Sequence, residues 1–439
     1  MAEQSDLAKF PREPIHRVTS ALERFIHVEA SSGVVLLVAT VVALVLANSA
    51  WSAGFLNIWK TEVGFRIGSF EMLHSLKHWI NDGLMAIFFF IIGIEVKREL
   101  VVGELRDARR AVLPVFAALG GMLAPAAIYL ALQFGEPGER GWGIPMATDI
   151  AFLVGCMAVL GPRVPHGLRV VLLSLAIADD IGAILVIALG YTESINLNAL
   201  LLALAAILVT LILSRAGVRS LLPYAVIGFF AWLGFHESGV HATIAGVILG
   251  LMTPTRSYVS EGLFGTVLQR ASEIFHGGSW ENVAERGAKV LRFRWVARET
   301  VPPAEYLEAL LHPWVSFGIV PLFALANAGV PFQLADLRDP VAQAVGAGLV
   351  IGKPLGIIFF SWLAIRIGLA RLPEGVSWGV LVGGGFLTGI GFTMALFIAS
   401  LALEGAMLDA AKVGVLGASV IAALSGMTLL KLLSEGSDS

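Results

Sequence analysis

A chain of 439 residues with 57% hydrophobic and only 14% charged side chains cannot hide its apolar surface inside a water-soluble core. A net charge of −3 gives no reason to expect nucleic acid, and the single Cys156 leaves neither a disulfide framework nor a thiolate metal site. The bilayer is the expected solvent, and the expected fold is an all-α membrane protein of about twelve transmembrane helices.

Residues 1–31 carry Lys9, Arg12, Arg17 and Arg24 among acidic residues and lack the apolar core and cleavage site of a secretory signal. They read as a cytoplasmic N-terminal segment ahead of a first span that starts insertion. Apolar runs long enough to span, or nearly so, follow at 32–50, 80–100, 111–134, 141–161, 168–190, 197–213, 219–235, 239–254, 312–331, 340–366, 376–403 and 411–432. A transporter domain over 32–432 and a cytoplasmic tail over 433–439 complete the division. Two connections are long enough for structure of their own. In 51–79, the stretch Trp59 to Phe70 alternates apolar and polar residues around Gly64, the pattern of a small two-stranded outer hairpin or of a flexible loop. In 255–311, Glu281, Glu285, Lys289, Arg292 and Arg294 recur at helical spacing, reading as a cytoplasmic amphipathic helix with a linker or as a solvated connector.

An even number of spans puts both termini on one side. That side holds 23 of the 30 Lys and Arg residues and the opposite side 6, with Lys353 inside a span. The excess marks the cytoplasmic face, so both termini are expected there.

Four charges lie where lipid would surround them. Asp179 and Asp180 sit at the centre of Leu168 to Gly190, Asp149 lies within 141–161 and Lys353 within 340–366. Each costs about 2.5–3.5 kcal/mol at mid-bilayer, so each needs a reason to be there. Two adjacent carboxylates in low dielectric repel; protonation relieves the repulsion, and so does a small hard cation with oxygen ligands. Protons and a cation therefore compete for the pair, which suffices for exchange if the cavity opens to one side at a time. An Asp paired with Lys353 purely for helix packing is the plainer reading. Gly143 and Pro145 precede Thr148 and Asp149, while Gly383, Gly384, Gly385, Gly389 and Gly391 crowd the span 376–403. Both spans look breakable, with half-helix ends that Asp149 and Lys353 can offset, though glycines also serve close helix packing. No Ser, His and acid set and no His-Glu-x-x-His run occurs in the spans, so an enzyme is not expected. A proton-coupled transporter of a small organic solute is the alternative, with the aspartates only relaying protons. Trp232 and Trp362 keep it open, although the spans offer no cationic cluster at mid-depth apart from Lys353.

Several motifs resemble the NhaA-type sodium/proton antiporter family over nearly the whole membrane region. They include Asn81-Asp82-Gly83-Leu84-Met85-Ala86, Glu95-Val96-Lys97-Arg98-Glu99-Leu100, Ala147-Thr148-Asp149-Ile150-Ala151-Phe152, Asp179-Asp180, Gly239-Val240-His241-Ala242-Thr243, Leu311-His312-Pro313-Trp314, Gly352-Lys353-Pro354-Leu355-Gly356 and Gly389-Ile390-Gly391-Phe392-Thr393-Met394. The resemblance implies an inverted-repeat transporter whose fourth and eleventh helices are interrupted and cross near mid-membrane. It implies electrogenic, pH-regulated exchange of Na⁺ or Li⁺ for protons across a bacterial inner membrane, with no cofactor. By resemblance, Asp179 and Asp180 carry the cation and protons, Thr148 and Asp149 are their polar neighbours in the ion site, and Lys353 compensates charge. Asp82 supports the second span. An entrance and pH-sensing region falls on Glu95, Arg98, Glu99, Glu308 and His312, with His241 near the outer face, and a homodimer forms through the outer hairpin. For His241 a histidine simply satisfied by its neighbours is the other reading, and for Glu95 and Glu99 a solvated helix end. Ala309 stands where well-known members have a histidine, and 255–311 is longer than in those members; both departures fall in the regulatory region.

Overall fold

The computed structural model describes residues 29–68, 70–192, 195–257, 299–332 and 335–434. Helix dominates because lipid offers the backbone no hydrogen bonds, so each segment must satisfy its own. Among the described residues, eight helices are long and apolar enough to cross a membrane, or ten if each of two bent pairs counts as one span.

Helix α1 (Glu29–Ala47) ends at Asn48, whose side chain donates to the carbonyls of Leu44 and Val330 and accepts from Phe332 N. The chain turns by 114° into α2 (Ser52–Lys60), which buries Phe55 and Trp59. The sequence reading has only loop and hairpin there. Strands β1 (Glu62–Ile67) and β2 (Phe70–Ser75) pair antiparallel from Glu62 opposite Ser75 to Ile67 opposite Phe70. The hairpin is therefore real but displaced from its expected position. Gly64 is not the turn; it lies within β1 opposite Leu73, and a Cβ on it would come within 1.8 Å of the Met72 carbonyl oxygen. The turn lies at Gly68, with φ +63°.

The long elements follow as α3 (Leu76–Val101), α4 (Ala108–Gln133), the 3₁₀ helix Glu139–Met146 continuing into α5 (Ile150–Leu160), and α6 (His166–Gly190). Next come α7 (Leu197–Arg215), α8 (Leu221–Ser238), α9 (Thr243–Met252) and α10 (Pro303–Asn327). The chain ends with α11 (Pro340–Arg366), α12 (Trp378–Leu387), α13 (Phe392–Ala402) and α14 (Gly405–Ser434). The amphipathic helix expected around 281–294 lies outside the described residues. Helix α10 opens at Pro303, so the expected span at 312–331 begins a full two turns earlier, and Glu308 and His312 sit on a helix.

Burial sorts the helices by neighbour. From Phe392 to Ala399 every residue of α13 is buried, which makes it a central helix. Helix α7 instead exposes Leu201, Leu204, Leu208 and Ile212, an apolar stripe at helical spacing that suits lipid. Helices α4 and α11 meet backbone to backbone: a Cβ on Gly120 would lie 2.1 Å from the Gly356 carbonyl oxygen, and one on Gly356 would lie 2.0 Å from that of Gly120. That approach carries Lys353 and Gly121 toward α6 and its two aspartates.

Candidate functional site

Two breaks in helical structure meet in the interior. One covers 147–149, between the 3₁₀ helix and α5; the other lies between α12 and α13, whose axes differ by 49°. They are joined directly, since Asp149 N donates to the Ile390 carbonyl at 2.7 Å. Four half-helix ends are thereby gathered at one point, two N-termini with unsatisfied N–H groups and two C-termini with unsatisfied carbonyls.

Asp149 serves both N-termini. One carboxylate oxygen accepts from Phe152 N at 3.2 Å, capping α5, and the other accepts from the backbone N–H of Thr393 at 2.9 Å and from its hydroxyl, capping α13. The sequence reading groups Asp149 with the ion ligands, yet both its oxygens are already engaged. Lys353 faces a C-terminus, donating from Nζ to the Met146 carbonyl at the end of the 3₁₀ helix. It follows a π-helical turn, Gly348–Gly352, that resets the phase of α11 immediately before it. The glycine-rich span divides its labour. Gly389 and Gly391 lie in the break, while Gly383 and Gly384 admit Leu430 and Leu172 at van der Waals distance or less.

The aspartate pair lies beside this crossing. Asp179 and Asp180 are 1% and 3% exposed and Lys353 is 0% exposed. Asp179 Oδ2 lies 2.9 Å from Lys353 Nζ and accepts from the Thr148 hydroxyl at 2.8 Å; that hydroxyl is also 3.1 Å from the Thr388 carbonyl. The other oxygen, Asp179 Oδ1, has no hydrogen-bond partner, and neither does Asp180 Oδ1. An unpartnered buried carboxylate oxygen is costly, and these two adjacent residues carry one each.

Thr148, Asp149, Asp179, Asp180 and Lys353 are therefore brought together. Glu95, on α3, is linked to them electrostatically: its charge reaches Asp180, and it also feels Glu308 and Arg98. Arg98 holds Glu308 in a two-pronged contact at 2.6 and 2.7 Å. Glu99 accepts from Glu104 N and the Ser174 hydroxyl, and it lines a cavity of about 430 Å³ with Glu104, Arg106, Asp107 and Arg110. His312 is exposed. Asp82 and His241 lie elsewhere, at the hairpin end of the molecule. Asp82 Oδ2 stands 3.7 Å from both His78 and His236, and its carbonyl accepts from Trp232 Nε1. His241 sits by Thr243 with its ring edge-on to Phe397.

Sequence reasoning missed Thr388 and Thr393, since threonine is common in apolar spans and nothing local marks a cap contributed by another helix. It also missed the reciprocal amide pair Asn81–Asn327, buried between α3 and α10 at 2.8 and 3.3 Å. Two asparagines in otherwise apolar runs were the available signal.

The family model described as Na⁺/H⁺ antiporter 1 matches residues 23–430. A protein of Rhodopirellula baltica named Na⁺/H⁺ antiporter NhaA is 56% identical over 420 residues, covering 96% of each chain. One of Acidiphilium cryptum named Na⁺/H⁺ antiporter NhaA 2 is 52% identical, covering 96% of this chain and 94% of that one. One of Rhizobium meliloti named Na⁺/H⁺ antiporter NhaA is 51% identical over 98% of each.

Proposed function

We propose, from the premise that this chain belongs to the Na⁺/H⁺ antiporter 1 family, that it exports Na⁺ (or Li⁺) in exchange for protons at a site built from Asp179, Asp180 and Lys353. It is a multi-pass bacterial membrane protein and a secondary transporter, not an enzyme. The observation that carries the site assignment is the pair of adjacent, fully buried carboxylates with one unpartnered oxygen each.

This arrangement suits a proton-loaded state. Lys353 as ammonium neutralises Asp179, and Asp180 holds a proton that makes its burial tolerable. A Na⁺ ion arriving past Glu95 binds between the two carboxylates, takes Asp179 from Lys353 and drives the proton off Asp180. If Lys353, now unpaired in low dielectric, also releases its proton, two protons leave for each Na⁺ bound. The cycle then moves net charge, and the membrane potential drives export. Asp149 keeps the crossing intact throughout by capping its two N-termini, and Lys353 offsets one of the C-termini.

The reading extends to twelve spans in two inverted halves, with the elements at 139–163 and 378–402 as the interrupted fourth and eleventh. The excess of Lys and Arg supports a bacterial inner-membrane location with both termini cytoplasmic. Glu95, Arg98, Glu99, Glu308 and His312 then line the cytoplasmic entrance and respond to pH. The outer hairpin joins two copies; removing residues 62–75 is expected to yield a monomer by light scattering, and an undiminished dimer contradicts that part.

Asp180→Asn in proteoliposomes tests the function. Na⁺-driven proton movement is expected to vanish, and full exchange in that variant removes the assignment.

A further inference from the structure

Three histidines converge at the hairpin end, far along the chain from the aspartate pair. His74 lies on β2, His78 one helical turn on at the start of α3, and His236 near the end of α8. We propose that His74, His78 and His236 bind a divalent transition-metal ion of the zinc class, with Asp82 as the carboxylate that orients and neutralises the site.

The geometry carries the argument. His74 Nε2 and His236 Nε2 are 3.3 Å apart, and one nitrogen from each of the three rings fits within 4.8 Å of the others. Tetrahedral Zn²⁺ with nitrogen ligands at about 2.0–2.1 Å places those nitrogens about 3.3 Å apart along each edge. The one distance that joins two of the rings directly is therefore already that of a shared ion. A histidine–histidine hydrogen bond accounts for this contact but not for the third ring, because His78 Nε2 is buried with no hydrogen-bond partner. A single cation satisfies all three.

The surroundings are those of a built site. Asp82 Oδ2 lies 3.7 Å from His236 Nδ1, the nitrogen that faces away from His74, and this is where an outer carboxylate fixes the tautomer of a metal-ligating imidazole. The same oxygen is 3.7 Å from His78 Nε2, near enough to offset the charge of an ion held there. Trp232 stacks on His236 at 5.4 Å and 8° and bonds the Asp82 backbone carbonyl, holding ligand and carboxylate in one frame. The half-exposed His78 ring leaves a route for the ion. Imidazole nitrogens favour Zn²⁺, Ni²⁺ or Cu²⁺ over alkali cations, so this site does not compete with the carboxylate pair for Na⁺. Occupied, it ties the hairpin to α8, two elements far apart in sequence.

The test uses the full-length, untagged protein in detergent, stripped with a chelator and titrated with Co²⁺ and then Zn²⁺. One Co²⁺ per chain is expected, with the intense visible absorption of a four-coordinate ion that Zn²⁺ bleaches. Zn²⁺ is also expected to raise the melting temperature. In His74→Ala, on the hairpin, the absorption and the Zn²⁺-dependent rise are lost, while elution and metal-free melting show the variant folded. His166→Ala, on α6, retains both. Binding that survives His74→Ala, or Co²⁺ that stays six-coordinate in the native protein, overturns the proposal.

Discussion

Lys353 Nζ and Asp179 Oδ2 lie 2.9 Å apart with both side chains wholly buried, an ion pair that neither partner can replace with water. Lys353→Met keeps the aliphatic stem but leaves Asp179 uncompensated, and breaking a buried pair from one side costs about 3–5 kcal/mol. The melting temperature in detergent should fall sharply. The double variant Lys353→Met/Asp179→Asn should recover much of the loss, because the stranded charge goes too. Effects of the two changes that simply add would show that the pair is not coupled.

Asp149 caps two helices at once, so its loss should exceed that of an ordinary cap. Asp149→Ala is expected to cost about 2–4 kcal/mol, at roughly 1–2 kcal/mol for each terminus. Asp149→Asn, which keeps an acceptor oxygen, should cost less, and Thr393→Val less again because the backbone N–H remains. Thermal unfolding ranks the three. A silent Asp149→Ala would return this residue to the ion ligands.

The contact of Gly120 with Gly356 sets how closely Lys353 approaches α6. Alanine at either position would put a Cβ about 2 Å from a backbone carbonyl oxygen, which no rotamer change relieves. Both variants should lower the melting temperature and weaken exchange, because separating α4 from α11 moves Lys353. Exchange at the native rate in both would mean that the helix spacing does not position the site.

Tyr191, just past the end of α6, donates to the Arg140 carbonyl at 3.0 Å and accepts from Gly143 N at 3.3 Å, anchoring the 3₁₀ helix. Burial pushes its phenol up to about 12. The folded value lies above the ordinary value of about 10, so the native state holds this proton more tightly than the unfolded chain. Its contribution is fully present below about pH 10 and is lost as pH rises through about 12. Tyr191→Phe should therefore lower the melting temperature by the same amount at every pH below about 10, and by less above it. A difference that changes through neutral pH would contradict this.

The aspartate pair was legible because charge within an apolar run stands out against its surroundings, and the span that breaks at 147–149 because Gly143 and Pro145 precede it. Asp149 and Lys353 stood out in the same way, and the family motifs supplied their roles. What stayed hidden depends on contacts across the chain. Alternation at period two marks strands but not their turn, so Gly64, present for close approach to Met72, was read as the centre of the hairpin. Helix α2 is only 9 residues long, too short for periodicity to separate it from a loop. The double role of Asp149 required knowing that residues 149 and 393 meet, and the meeting of His74 with His236 was equally out of reach.

The central claim is that Na⁺ and protons contend for one pair of carboxylates, and proton release measures it directly. Adding Na⁺ to the purified protein in weakly buffered detergent should acidify the solution, and Asp179→Asn/Asp180→Asn should abolish the signal. Na⁺ binding with no proton released, or release undiminished in that double variant, would contradict the account.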